Sequence, residues 1–135
     1  MTKKKEIRGN KIKVGKFVYW APRILSILFI IFLAMFSLDI FDSCTGFLDC
    51  AIGLFMHNIP SLILLVVLLV AWKREWVGAA AFIFAGVLYT LMILINLPSN
   101  GFELYMITYP FIIAGPAIFI GILFYLNWKA RKKIK

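Results

Sequence analysis

Four long apolar stretches, separated by short polar breaks, dominate the pattern of hydrophobic and polar positions along the chain. They cover residues 18–41, 51–72, 76–96 and 104–128. Each is close to the ~20 residues that an α-helix needs to cross the hydrocarbon core of a bilayer. Because only a helix can satisfy its own backbone in lipid, the pattern predicts an all-α, polytopic membrane protein built as a bundle of four transmembrane helices.

Two basic segments flank these stretches, an arm at residues 1–17 and a tail at residues 129–135. The arm has no sustained apolar face, so its run of charges predicts a disordered segment along the membrane surface. Composition supports a membrane protein, with 63% hydrophobic residues and a mean hydropathy of +0.94 in 135 residues. A soluble domain has only about 45–50% apolar residues, and one of this length could not bury the excess.

The distribution of basic residues predicts the orientation. All fifteen lysines and arginines fall in the arm, at Arg23, in the turn Lys73–Glu75 and in the tail. These positions share one side of a four-helix topology, whereas the opposite loops, 42–50 and 97–103, contain none. The positive-inside rule therefore predicts a multi-pass protein of the cell membrane with both termini cytoplasmic. The expected partner of these charges is the anionic headgroup layer. Aromatic residues do not alternate with them as on a nucleic-acid surface.

Small residues indicate where the helices pack, since close approach in lipid relies on small side chains. The third stretch contains the pair Ala81 and Ala85, and the fourth contains Ala117 and Gly121. Each pair is separated by three residues and therefore lies on one helix face. We expect both pairs to lie at helix–helix contacts.

Polar side chains concentrate in the outer halves of the helices. Five of them form a candidate polar cluster: Asp39, His57, Asn58, Ser61 and Asn96. A polar group at membrane depth is costly and should face the bundle interior, so we expect His57 to point inward and bond Asp39. The carbonyl of Met56, which Pro60 leaves without its helical donor, is an alternative acceptor. Such a contact has three interpretations: a hydrogen bond that fixes helix register, a proton-relay or ligand site, or an interfacial group open to water.

Both cysteines, Cys44 and Cys50, lie in the outer loop between the first two helices. That side is oxidising in bacteria, which predicts a disulfide between them. A metal site combining them with His57 and the nearby aspartates is the alternative, but the spacing matches no compact zinc pattern. The chain also has no Cys-x-x-Cys pair, only one histidine for haem, and no basic residue near Asp39 and Asp42 to hold a diphosphate. We therefore expect no metal, no cofactor and no catalytic residue.

Three stretches resemble a family of small four-helix prokaryotic membrane proteins known only as a domain of unknown function. They are residues 23–41, 55–75 and 110–124. The shared pattern consists of an Asp ending the first helix, His-x-x-Pro in the second and Ala-Trp-Lys before the third. In this chain the Asp is Asp39, the His-x-x-Pro consists of His57 and Pro60, and the Ala-Trp-Lys covers residues 71–73. The resemblance implies the four-helix topology and no particular activity, and the cysteine-bearing loop lies outside the shared pattern.

Two functional classes stay open. The leading expectation is a non-enzymatic accessory or structural membrane component that packs its helices against a larger membrane partner or a second copy of itself. The alternative is a small transporter or channel that uses the polar outer halves of the helices. A single bundle of four helices is too thin to enclose a gated path, so transport would require an oligomer. No nucleic-acid partner is expected.

Overall fold

The structure, a computed structural model, describes residues 2–96 and 104–134. The described residues form four helices: α1 Thr2–Phe36, α2 Phe47–Lys73, α3 Glu75–Ile95 and α4 Tyr105–Ile134. A 3-10 segment, Ser37–Asp42, continues α1, and no strand occurs in these ranges. Each helix provides a segment long and apolar enough to cross a membrane. The predicted all-α fold, with four helices long and apolar enough to span a membrane, is confirmed.

The basic arm departs from the expectation, because α1 already begins at Thr2 and the arm is helical. Lysine and glutamate have high helix propensity. A preformed apolar helix also supplies the nucleus onto which further turns can add, so no costly first turn is needed. The described arm is therefore helical and continuous with α1. The second outer loop, predicted at 97–103, lies outside the described residues.

The helices form a ring in which each packs on its neighbours in sequence and α4 closes against α1. Only Arg74 separates α2 from α3, so these two helices are antiparallel. Its backbone nitrogen donates to the carbonyl of Val70 at 3.0 Å, which completes the last turn of α2. We call the end of the bundle with this connection the basic end, and the end with Cys44 and Cys50 the disulfide end.

Helices α3 and α4 make the closest backbone contact in the bundle. A Cβ atom at Gly121 would lie 2.9 Å from the backbone nitrogen of Ile83, and one at Gly86 would lie 3.1 Å from the carbonyl oxygen of Ala114. Both distances are shorter than a comfortable contact, so glycine is required for this approach. The prediction that Gly121 lies at a helix–helix contact is confirmed.

The core side of α3 differs slightly from the predicted one. Phe82 is fully buried and stacks on Phe124 of α4 with ring centroids 5.9 Å apart. Ala81 and Ala85 flank this position and are half-buried. The buried face follows Phe82 because a large side chain excludes more apolar surface from its surroundings than alanine does.

Large apolar side chains cover the outside of the bundle. Examples from three different helices are Leu28, Leu69 and Phe84, each more than half exposed. In water a continuous surface of this kind would drive aggregation. Facing acyl chains it has no such cost, which agrees with helices that cross a membrane.

Candidate functional site

At the disulfide end, Cys44 and Cys50 are joined by a disulfide with their Cα atoms 5.1 Å apart. The backbone supports the loop on both sides: Cys44 donates to the carbonyl of Ile40 at 3.0 Å, and Cys50 to that of Gly46 at 2.8 Å. The bond therefore ties the end of the 3-10 segment to the first turn of α2. Both sulfur atoms are engaged in it, which removes them as metal ligands.

The expected contact between Asp39 and His57 is not formed. Both side chains are exposed. His57 Nδ1 lies 3.0 Å from the carbonyl oxygen of Gly53, one turn earlier on its own helix, and this carbonyl, not that of Met56, is its partner. The prediction that His57 points into the bundle is therefore wrong.

Asn58 occupies the inward position instead. Its Nδ2 donates to Ser37 Oγ at 2.8 Å and to the carbonyl of Leu54 at 3.1 Å. Ser37 is buried and donates in turn to the carbonyl of Ala34 at 2.5 Å. Successive residues of a helix point about 100° apart, so His57 and Asn58 cannot both face α1. The interhelical polar contact predicted here exists, with a different donor and acceptor.

The remaining two candidates make no hydrogen bond to this contact. Ser61 is buried, and its hydroxyl has no hydrogen-bond partner among the described residues. Asn96 is exposed just beyond the last turn of α3, where its Nδ2 donates to the carbonyl of Met92 at 2.7 Å. The five predicted residues therefore do not form one cluster.

A buried cluster of charged and polar groups lies at the basic end, where sequence reasoning placed no site. We call Arg23, Glu75, Asn127 and Arg131 the charge cluster. Glu75 Oε1 accepts from Arg23 Nη2 at 3.0 Å and from Asn127 Nδ2 at 2.9 Å. Arg131 Nη1 lies 3.5 Å from the same oxygen. Side-chain exposure is 0% for Arg23 and 4% for Glu75, against 56% for Arg131.

Arg23 has the most completely enclosed side chain of the cluster. Its Nη1 donates to the carbonyl of Tyr19, and its Nη2 also donates to that of Trp72 at 3.2 Å. Its guanidinium carbon lies 3.6 Å from the centre of the Tyr19 ring, a cation–π distance. Its Nε is buried and has no hydrogen-bond partner among the described groups. Backbone carbonyls, an aromatic face and one carboxylate together replace the hydration of the guanidinium group.

The charge cluster connects all four helices at a single level of the bundle. Arg23 comes from α1, the Trp72 carbonyl from α2, Glu75 from α3 and Asn127 from α4. Glu75 also lies in the first turn of α3, where the helix dipole favours an anion. Because α1 and α3 are on opposite sides of the ring, this ion pair crosses the bundle diagonally. The arrangement holds the helices in register.

The profile of one protein family, a domain of unknown function (DUF7670), matches residues 9–135. The chain belongs to this family. The match confirms the resemblance noted in the sequence and extends it into the basic arm and the tail. No curated protein and no solved structure matches the chain. Since the DUF7670 description names no activity, the chemistry of this member has to be argued from its own residues.

A signal for the charge cluster is present in the sequence of this DUF7670 member. Apart from Glu6 in the arm, Glu75 is the only acidic residue on the side that carries all fifteen basic ones. A single carboxylate among so many cations, at the start of an apolar stretch, indicates an internal ion pair. Arg23 is likewise the only basic residue placed within the first apolar stretch. Which arginine would pair with Glu75 depends on how the helices pack.

Proposed function

We propose that the chain is a non-enzymatic structural or accessory component of the cell membrane. The observation that carries this proposal is the burial of its charged groups. Arg23 and Glu75 are 0% and 4% exposed and form an ion pair with one another, so their role is to hold helices together. A charged group that binds or moves a solute must be reachable from water. The same two residues are poorly placed for that purpose.

The outer surface supports a role in helix packing with another membrane protein or a second copy of the chain. Leu69 of α2 and Phe84 of α3 are 64% and 67% exposed and point away from the bundle. Association in lipid relies on van der Waals packing, above all where small residues allow close approach, and on interhelical hydrogen bonds. A bundle whose buried ion pair is closed internally offers mainly packing to a partner.

The proposed orientation places the basic end, with both termini, in the cytoplasm. The lysines and arginines of the arm, of the α2–α3 connection and of the tail all belong to this end. Anionic lipids of the cytoplasmic leaflet attract such residues by about 1 kcal/mol each. The disulfide end then faces the oxidising side, where a Cys44–Cys50 bond persists.

Site-specific photo-crosslinking in native membranes tests the structural role. A photoreactive phenylalanine analogue replaces Phe84, and in a matched variant it replaces Phe82, two residues earlier and buried in the core. We expect Phe84 to capture one discrete membrane protein, or the chain itself, while Phe82 captures nothing outside the bundle. Equal products at both positions would contradict a specific outer interface. Purified dimers that move an ion or solute across proteoliposomes would contradict the non-enzymatic, non-transporting role.

A further inference from the structure

An apolar groove of about 320 Å³ lies between α1 and α4, the pair of helices that closes the ring. Its walls include Leu25, Leu28 and Phe32 of α1 and Ile112, Pro116 and Ile120 of α4. No polar side chain lines it. A groove with this lining suits a hydrocarbon chain.

The groove residues of α4 lie on the same side of that helix as two members of the charge cluster. Pro116, Ile120, Asn127 and Arg131 follow one another at spacings of four, seven and four residues, which keeps them on one stripe of a helix. Arg131 therefore lies on the groove side of α4, about three turns nearer the basic end than Ile120. On α1, Leu25 and Phe32 are about 9 and 20 Å beyond the level of Tyr19, at 1.5 Å per residue. A lipid of one leaflet extends over a similar depth, since headgroup and half of the hydrocarbon core measure about 20 Å.

Arg131 is held in place and yet remains accessible. Its guanidinium carbon lies 4.6 Å from the centre of the Tyr19 ring, on α1, and its Nη1 is 3.5 Å from Glu75 Oε1. Its side chain is still 56% exposed. Two arginines share one carboxylate in the charge cluster, so the cluster has an excess positive charge on its accessible side. A guanidinium group with free N–H donors is well suited to a phosphate.

We propose that one anionic phospholipid binds along the seam between α1 and α4, with its phosphate on Arg131 and an acyl chain in the groove. The proposal deepens the proposed function, because it assigns a lipid partner to the basic end, and it rests on that end meeting an anionic leaflet. Charge selects the headgroup, while the apolar lining selects a membrane lipid over a soluble anion. The bound lipid seals the seam that α1 and α4 leave open.

Native mass spectrometry of the protein in mild detergent tests this site. Phosphatidylglycerol and phosphatidylcholine with identical acyl chains are added in equal amounts, and the retained lipid is counted. We expect one phosphatidylglycerol to be retained in roughly fivefold preference, the factor supplied by one basic residue near an anionic headgroup. Arg131→Gln should abolish the preference. Lys129→Gln is the matched control. It removes the same charge, but Lys129 lies about 200° around α4 from Arg131, so this variant should keep the preference.

A second pair of variants tests the groove. Leu28→Trp fills it from α1 and should lower the retention of both lipids, whereas Leu69→Trp, on the exposed surface of α2, should leave retention unchanged. Equal retention of the two lipids by the wild type, or equal losses in the Arg131 and Lys129 variants, would overturn the proposal. The proposal would also be overturned if inorganic phosphate displaced the bound lipid and Leu28→Trp left lipid retention unchanged, since that result assigns the site to a soluble anion. The crosslinking pattern at Phe84 is independent of these measurements, so the two proposals can fail separately.

Discussion

At the scale of single residues, Glu75 has the largest role at the basic end. One of its oxygens accepts two hydrogen bonds and lies near a second arginine. A buried ion pair adds little to stability over well-packed apolar residues, but removing one partner leaves an uncompensated charge. The consequence of a substitution therefore depends on what remains behind.

Glu75→Gln should lower the free energy of unfolding by about 3 kcal/mol, because it leaves the charge of Arg23 buried without a counter-ion. This exceeds the ~0.6 kcal/mol average for polar contacts between membrane helices, which are mostly between neutral groups. Denaturant titration in detergent micelles measures the change. Arg74→Gln, an exposed neighbour, should stay within about 0.5 kcal/mol of the wild type. The double variant Arg23→Met with Glu75→Gln should lose less than the sum of its parts, and strict additivity would contradict the ion pair.

His57 and Asn58 form a second test at this scale. Asn58→Leu removes the hydrogen bond to Ser37 and should destabilise the bundle by about 0.6 kcal/mol, and by no more than ~1.7 kcal/mol. His57→Leu removes only a bond within its own helix at an exposed position and should have a smaller effect. The same titration compares the two variants. A larger loss for His57→Leu would mean that His57, and not Asn58, holds the contact with α1.

At the scale of elements, two kinds of interaction hold neighbouring helices together. Helices α3 and α4 are joined by close backbone contact at glycine, and the connection between α1 and α2 is closed by the Cys44–Cys50 disulfide. The first acts in the folded state by van der Waals packing. The second acts mainly on the unfolded chain, whose freedom it reduces.

Gly121→Ala should destabilise the protein by about 1–3 kcal/mol, because the added methyl group would meet the backbone of α3 and force the helices apart. Gly115→Ala is the matched control on the same helix, since a Cβ there meets nothing within 4 Å. It should be neutral or stabilise α4 by up to ~1 kcal/mol through helix propensity. Thermal unfolding of the two variants distinguishes them. Equal destabilisation would show that α4 is sensitive to any side chain and that the contact at Gly121 is not special.

Reduction of the disulfide should lower stability by roughly 2–3 kcal/mol, the range expected when a short loop of this length is opened. The helices themselves should persist, because Ser37–Asn58 and the core still join α1 to α2. Melting temperatures with and without a thiol reductant measure the loss. The double variant Cys44→Ser with Cys50→Ser should melt at the reduced value and no longer respond to reductant. A response in that variant would assign the effect to something other than this bond.

At the scale of the whole molecule, the asymmetry of charge between the two ends predicts one orientation. Reporter fusions at both termini and at the Arg74 connection should report the cytoplasm, and a reporter in the loop between Cys44 and Cys50 should report the opposite side. Arg74→Glu together with Lys73→Glu is a useful challenge, because most of the basic residues remain in the arm and the tail. The orientation should survive it. A reporter map with the Arg74 connection outside the cytoplasm would contradict the positive-inside argument.

The four helices follow from the sequence alone, because each segment must be long and apolar enough to cross lipid, and that is a local property. The pairing of Cys44 with Cys50 also follows from the sequence, since two cysteines in one short loop have few other partners. The glycine contact was partly visible, through the spacing of Ala117 and Gly121. Each of these inferences needs only residues that are close together along the chain.

Which polar groups meet depends on the tertiary structure. His57 and Asn58 are adjacent in sequence, and a rotation of about 100° between them determined which one reaches Ser37. Glu75 is 52 residues from Arg23 and 52 from Asn127, so their contact depends on the ring closing with α4 against α1. Helix rotation and packing order are set by how side chains fill the whole core. For that reason the helices could be predicted from the sequence, whereas the charge cluster could be identified only from the fold.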